Sequence, residues 1–183
     1  GPQDVYDWKD KLVDLSDVPV VKEAFDGANA GVTMDGKVYG IPFTQEGYGF
    51  IYNAAILNKA GINPDEITSY AKLEEAVKKL DAKKAELGLE AVFAVAGKET
   101  WVTGLHFTNA ALSPEFENVF NAFNAKKIDF KYSEGMKKLF DLQINYAKKP
   151  VNSVDYSTQV EKLFSLEKVA FMQQGNWTLG AIK

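Results

Sequence analysis

Short apolar runs alternate with longer helix-forming segments along most of this 183-residue chain, and that alternation leaves few architectures open. Residues 32–42, 50–53, 91–95 and 168–172 read as strands. Between them the spacing predicts helices over 54–60, 69–87, 97–112, 114–127, 133–146 and 158–166. In residues 69–87, Tyr70, Leu73, Val77, Leu80 and Leu87 recur every three or four positions, which lines one helical face with apolar groups, and Gly88 ends the run. Strands separated by helices imply βαβ units, hence an α/β fold with a mainly parallel sheet covered by helices on both faces. Residues 1–31 hold one short helix near Val20–Phe25, opened by Pro19, and are too small to stand as a domain.

The stretch from Asp35 to Asn53 organises the rest. Asp35-Gly36 is a tight-turn pair, because glycine accepts positive φ where the chain reverses. Val38 and Tyr39 extend as far as Pro42, which cannot donate to a ladder. Gly47 and Gly49 flank a polar segment, after which Phe50-Ile-Tyr52 is apolar again. Two strands bracketing a polar passage suit a chain that crosses a cleft between lobes; a simple β-hairpin gives the same local pattern.

Composition narrows the function classes. The chain is 46% hydrophobic and 25% charged, with net charge −4, the profile of a globular protein. A negative balance argues against a nucleic-acid partner, which needs a clustered basic face. Lys78, Lys79, Lys83 and Lys84 lie among glutamates on a helix and read as a solvated face. No cysteine is present and His106 is the single histidine, so a thiolate metal site, a disulfide framework and a serine-histidine triad find little material, and no metal or cofactor is expected. Apolar runs stay short of the ~18–20 residues that span a bilayer. Gly1-Pro2 has the form of a protease scar, so the native chain is expected to extend upstream.

In open α/β sheets ligands bind beyond the carboxyl ends of strands. Gln45, Glu46 and Tyr48 stand at the first crossing, Glu99 and Trp101 follow residues 91–95, and Gln173, Gln174, Asn176 and Trp177 follow residues 168–172. This mixture of amide, carboxylate and flat aromatic suits a sugar, whose C–H faces stack on rings while its hydroxyls need donors and acceptors. Taken singly these residues argue less. Trp101 reads as core, Glu46 and Glu99 as solvated acids, and His106, beside Leu105 and Phe107, as a packed or surface histidine. Trp177 stays open between core and platform.

The run Asp35–Pro42, then Gly49-Phe-Ile-Tyr-Asn53 and Ile56-Leu-Asn-Lys-Ala-Gly61, resembles the family-1 extracellular solute-binding proteins of carbohydrate ABC importers, the maltose-binding-protein-like group. The resemblance covers roughly residues 12–183. It implies a periplasmic-binding-protein-like lobe of the type II fold, incomplete here. Residues 1–41 would be the remnant of a first lobe with the crossing, 42–177 the second lobe and 178–183 the start of a return segment. It implies ligand contacts at Glu46 and Tyr48, at Glu99 and Trp101, and at Asn176 and Trp177, where Ala170-Phe-Met172 leads to a glycine and a stacking tryptophan. Two departures stand out: Ser69-Tyr70 replaces a usual threonine-tryptophan, and Phe171 is inserted in the last motif. The implied partners are an oligosaccharide or other sugar and the transmembrane permease subunits. The implied location is extracellular or periplasmic, with any membrane attachment through an upstream lipid anchor. The missing helices of such a lobe should leave an apolar patch exposed.

Two other functions fit parts of the pattern. A glycoside-processing enzyme would use Glu46 and Glu99 as its acid pair, which requires the carboxyl groups roughly 5–10 Å apart. A partner-binding domain would show no saturable response to sugars.

Overall fold

A computed structural model describes residues 1–182. In chain order its elements are α1 (Pro2–Trp8), α2 (Pro19–Lys22), β1 (Thr33–Met34), β2 (Lys37–Val38), β3 (Tyr48–Tyr52), α3 (Ala54–Lys59), α4 (Tyr70–Ala82), β4 (Phe93–Ala94), α5 (Phe107–Phe116), α6 (Val119–Asn124), α7 (Ser133–Asn145) and β5 (Phe171–Gly175). Two π-helical segments, Trp101–His106 and Thr158–Phe164, complete the second half. Among the described residues no helix is long and apolar enough to cross a membrane. The chain divides into two compact units, one of Gly1–Gln45 with Leu112–Lys131, the other of Glu46–Ala111 with Tyr132–Lys183. The first unit thus takes in a stretch that the sequence reading placed in the second lobe.

In the first unit, Asp35 and Gly36 both have positive φ and close a two-residue turn between β1 and β2, paired Thr33↔Val38 and Met34↔Lys37. β2 therefore folds back on β1 and takes no part in pairing β3, which removes the hairpin alternative. α1, absent from the sequence reading, packs Tyr6 against Phe123 of α6 at 6.1 Å between ring centres. Glu115 accepts from the backbone N–H groups of Asp129 and Lys131, pinning residues 128–131. Only Val5 and Val21 are buried here among the described residues, so this unit carries almost no core of its own.

The second unit is built on a three-stranded sheet of order β3-β5-β4. β3 and β5 are antiparallel from Tyr48↔Gly175 to Tyr52↔Phe171, whereas β4 and β5 are parallel at Phe93↔Phe171 and Ala94↔Met172. The expected mainly parallel sheet is thus a mixed one. β3 brings the chain into the unit and β5 runs it back toward the same end, and strands of opposite direction can only pair antiparallel. β5 also continues to Gly175, beyond the expected stop at Met172, because β3 offers partners along its full length.

Side chains alternate across the sheet. Phe93 and Phe171 face a core shared with Ile56 and Leu57 of α3, Leu73, Val77 and Leu80 of α4, and Leu142 of α7. Ala94 and Met172 face the other way, onto Val160, Leu163 and Phe164 of the π-helical segment. Helices cover both faces, as expected of the α/β class. Local signals set the helix starts: Asn53 accepts from Ile56 N at 3.1 Å, and Ser69 from Lys72 N at 3.3 Å. Lys78 pairs with Glu74 on the solvated face of α4, and Lys84, just past its end, pairs with Asp81. Three expectations shift by short distances. α4 ends at Ala82 and not near Leu87, Ser133 is the first helical residue of α7 and not its cap, and Pro114 lies inside α5. In that last turn the missing proline N–H forfeits one bond, and the segment Asn118–Asn124 starts a separate helix behind the Asn118 cap.

An aromatic concavity at the end of the sheet

The start of β3, the end of β5 and the loop following β4 all lie at one end of the sheet. Here Glu46, Tyr48, Trp101, Leu105, His106 and Trp177 line an open concavity of about 500 Å³. Four of the six sequence candidates meet there, namely Glu46, Tyr48, Trp101 and Trp177. The Trp101 and Trp177 rings lie 6.2 Å apart at 63°, two inclined apolar planes on one wall.

Each of the three candidate rings is held at its polar tip by a residue outside the concavity lining. Asn109 Nδ2 donates to the Tyr48 hydroxyl at 2.7 Å. The Trp101 indole N–H donates to Glu99 Oε2 at 3.3 Å, and Glu99 Oε1 accepts from Tyr156 N at 3.1 Å. Glu99 is therefore a bracket that fixes Trp101. The Trp177 indole N–H donates to Gln174 Oε1 at 3.0 Å. Asn176 is likewise outside the lining; its side chain accepts from Gly47 N at 3.2 Å, and its backbone N–H donates to Gly47 O at 3.0 Å, clasping the two sheet-end loops together. What the wall offers is mainly ring surface, already oriented.

His106 belongs to this assembly in a way its sequence neighbours concealed. It is 3% exposed. Its ring stacks on Tyr48 at 4.0 Å and 9°, and meets Trp101 edge-on at 5.3 Å. The π-helical turn explains the placement: its i→i+5 repeat brings residues 101 and 106 to the same side, where an α-helix would splay them. Burial lowers the His106 pKa, and among the described residues Nδ1 finds no hydrogen-bond partner, so the ring is neutral at neutral pH. Leu105, 54% exposed, supplies an apolar edge that the sequence does not single out.

Close approach decides one further residue. A Cβ on Gly175 would sit 2.1 Å from the Trp177 ring, so only glycine lets the indole lie back over the strand end. Among the described residues no group of three His, Cys, Asp or Glu is placed to hold a metal.

The architecture matches solved structures over nearly the whole chain. RafE of Streptococcus pneumoniae superposes with a TM-score of 0.74 at 24% identity, covering 98% of this chain and 47% of that one. A probable secreted solute-binding lipoprotein of Streptomyces coelicolor gives 0.73 at 23%, over 98% and 46%. A sugar transporter protein of Bacillus licheniformis, solved with stachyose, gives 0.65 at 22%, over 92% and 44%. The chain thus spans about half the length of the structures it matches. No curated protein sequence matches it. The model of one family, bacterial extracellular solute-binding protein, matches residues 2–183; the chain belongs to that family.

Proposed function

We propose that this chain is part of the substrate-binding component of an ABC importer, which binds an oligosaccharide and delivers it to the permease subunits in the membrane. One observation carries the reading: rings of Tyr48, Trp101 and Trp177, oriented from behind, at one wall of a concavity with Glu46. Such a wall suits the C–H faces of sugar rings, while the carboxylate accepts from hydroxyls. RafE has been solved with raffinose and the B. licheniformis protein with stachyose, which supports a ligand of more than one ring. On this reading residues 1–41 are what remains of a first lobe and its crossing, 42–177 the second lobe, with the excursion 112–131 leaving and rejoining it, and 178–183 the start of the return. The ligand contacts are Glu46, Tyr48, Trp101 and Trp177, with Glu99 and Asn176 contributing by holding the wall in place. An upstream lipid anchor on the cell surface fits the same reading.

The site is read as non-catalytic. An acid pair needs two carboxylates facing one bond, and Glu99 is committed to Trp101 and the Tyr156 backbone. The test is a tryptophan-fluorescence titration of the full-length protein with maltooligosaccharides and with raffinose-type, xylo- and galacto-oligosaccharides. A saturable shift that disappears in Trp177→Ala is expected. A folded protein silent to every sugar would overturn the assignment, and release of free sugar from a chromogenic glycoside would replace it with the enzyme.

A further inference from the structure

Behind Trp177 lies a chain of buried amides that the binding reading does not require. Gln174 and Gln159 are both fully buried. The indole N–H of Trp177 donates to Gln174 Oε1, Gln174 Nε2 donates to Gln159 Oε1 at 2.7 Å, and Gln159 Nε2 donates to the Ala94 carbonyl at 2.8 Å. Each amide accepts at one end and donates at the other, so the relay has a single direction and ends on the backbone of the central sheet. Alternation along β5 puts Gln174 on the Met172 face, where the segment Thr158–Phe164 presents Gln159. An apolar pair would fill the same space without the desolvation cost that two buried amides carry, which makes their presence informative.

We infer that Gln174 and Gln159 are positioning residues that set the plane of the Trp177 ring for ligand stacking. The inference deepens the sugar-binding reading and rests on it for its purpose, although the relay is testable without any sugar. Fixing the indole before the ligand arrives removes an ordering cost that binding would otherwise meet. Gly175 supports the same purpose from the other side, since the ring is free to lie flat only where no Cβ stands beneath it.

The experiment follows the indole N–H signals of the ¹⁵N-labelled protein by NMR. Trp177 is assigned from Trp177→Phe, and Trp8, 57% exposed, serves as the internal control. In the wild type the Trp177 indole proton should exchange at least about tenfold more slowly than that of Trp8. Gln174→Met should bring exchange up toward the Trp8 rate. Gln174→Glu, whose buried carboxyl stays protonated in acid and both accepts and donates, should restore protection below pH 5. In the full-length protein Gln174→Met should weaken sugar binding about tenfold, and the same change in a Trp177→Phe background should have no further effect, because phenylalanine has no N–H to hold. Equal exchange of Trp177 and Trp8 in the wild type overturns the relay, and needs no variant to fold. So does an affinity loss that persists in the Trp177→Phe background. A protected Trp177 in a protein that binds no sugar would leave the relay standing and remove the sugar reading alone.

Discussion

His106 places a titratable ring almost out of water, against Tyr48 and Trp101. Its folded pKa lies below the ordinary value of 6.5 because burial disfavours the charged form. The unfolded chain then binds the proton first as pH falls, so stability is full above about 6.5 and declines from there down to the folded pKa. The melting temperature should drop between pH 7 and 5 in the wild type and drop less in His106→Phe. Equal slopes would mean that the ring titrates as if exposed. Carboxylates such as Glu90, lowered by its bond to Lys148, act in a separate, more acid window, and comparing the two proteins cancels them. Gly175→Ala makes a second point of the same kind. With a Cβ 2.1 Å from the indole, the ring must leave its place, and a loss of about 1–3 kcal/mol is expected by chemical denaturation, together with a change in tryptophan emission.

The elements divide by how far their causes are local. α4 was legible from spacing alone, since Leu73, Val77 and Leu80 fall every three or four residues and all are buried. Val77→Ala should cost about 2–4 kcal/mol by removing packed methyl groups, and Ser69→Ala about 1 kcal/mol by releasing the Lys72 N–H, both read from urea denaturation. The Asp35-Gly36 turn was legible for the same reason, two residues holding their own geometry. β4 was legible as an apolar run, but only Phe93 and Ala94 pair, because a ladder depends on a partner some eighty positions away. The π-helical segments had no readable signature. Their i→i+5 repeat places Trp101 beside His106 and turns Gln159 toward the sheet, contacts that an α-helical reading cannot anticipate. Hence Glu46, Tyr48, Trp101 and Trp177 line one concavity, whereas Glu99 and Asn176 lie outside its lining, and the bonds that Gln159, Gln174 and Asn109 make could not be read from the sequence. Short polar side chains reveal direction only once the strand beneath them is placed.

At the scale of the molecule, burial is unevenly shared. Val5 and Val21 are the buried residues of the first unit among those described, while the second gathers two apolar clusters on opposite faces of its sheet. Local opening should therefore be far easier in Gly1–Gln45 and Leu112–Lys131. Amide exchange should be fastest there, with limited proteolysis cutting within these segments first; uniform protection along the chain would contradict this. Phe25 and Phe43 in the first unit, 80% and 93% exposed, and Leu166 and Leu179 in the second, 61% and 66% exposed, should bind an apolar dye, less so when the chain is carried in its full-length parent. The aromatic wall itself has a consequence for change over time. Its rings are held by Glu99, Asn109 and Gln174, all outside the lining, and the groups at its open rim, Leu105 and Glu46, are exposed side chains. The rim can then change by single substitutions while the machinery behind stays untouched. A lineage could reshape this surface without first having to relearn how to fold.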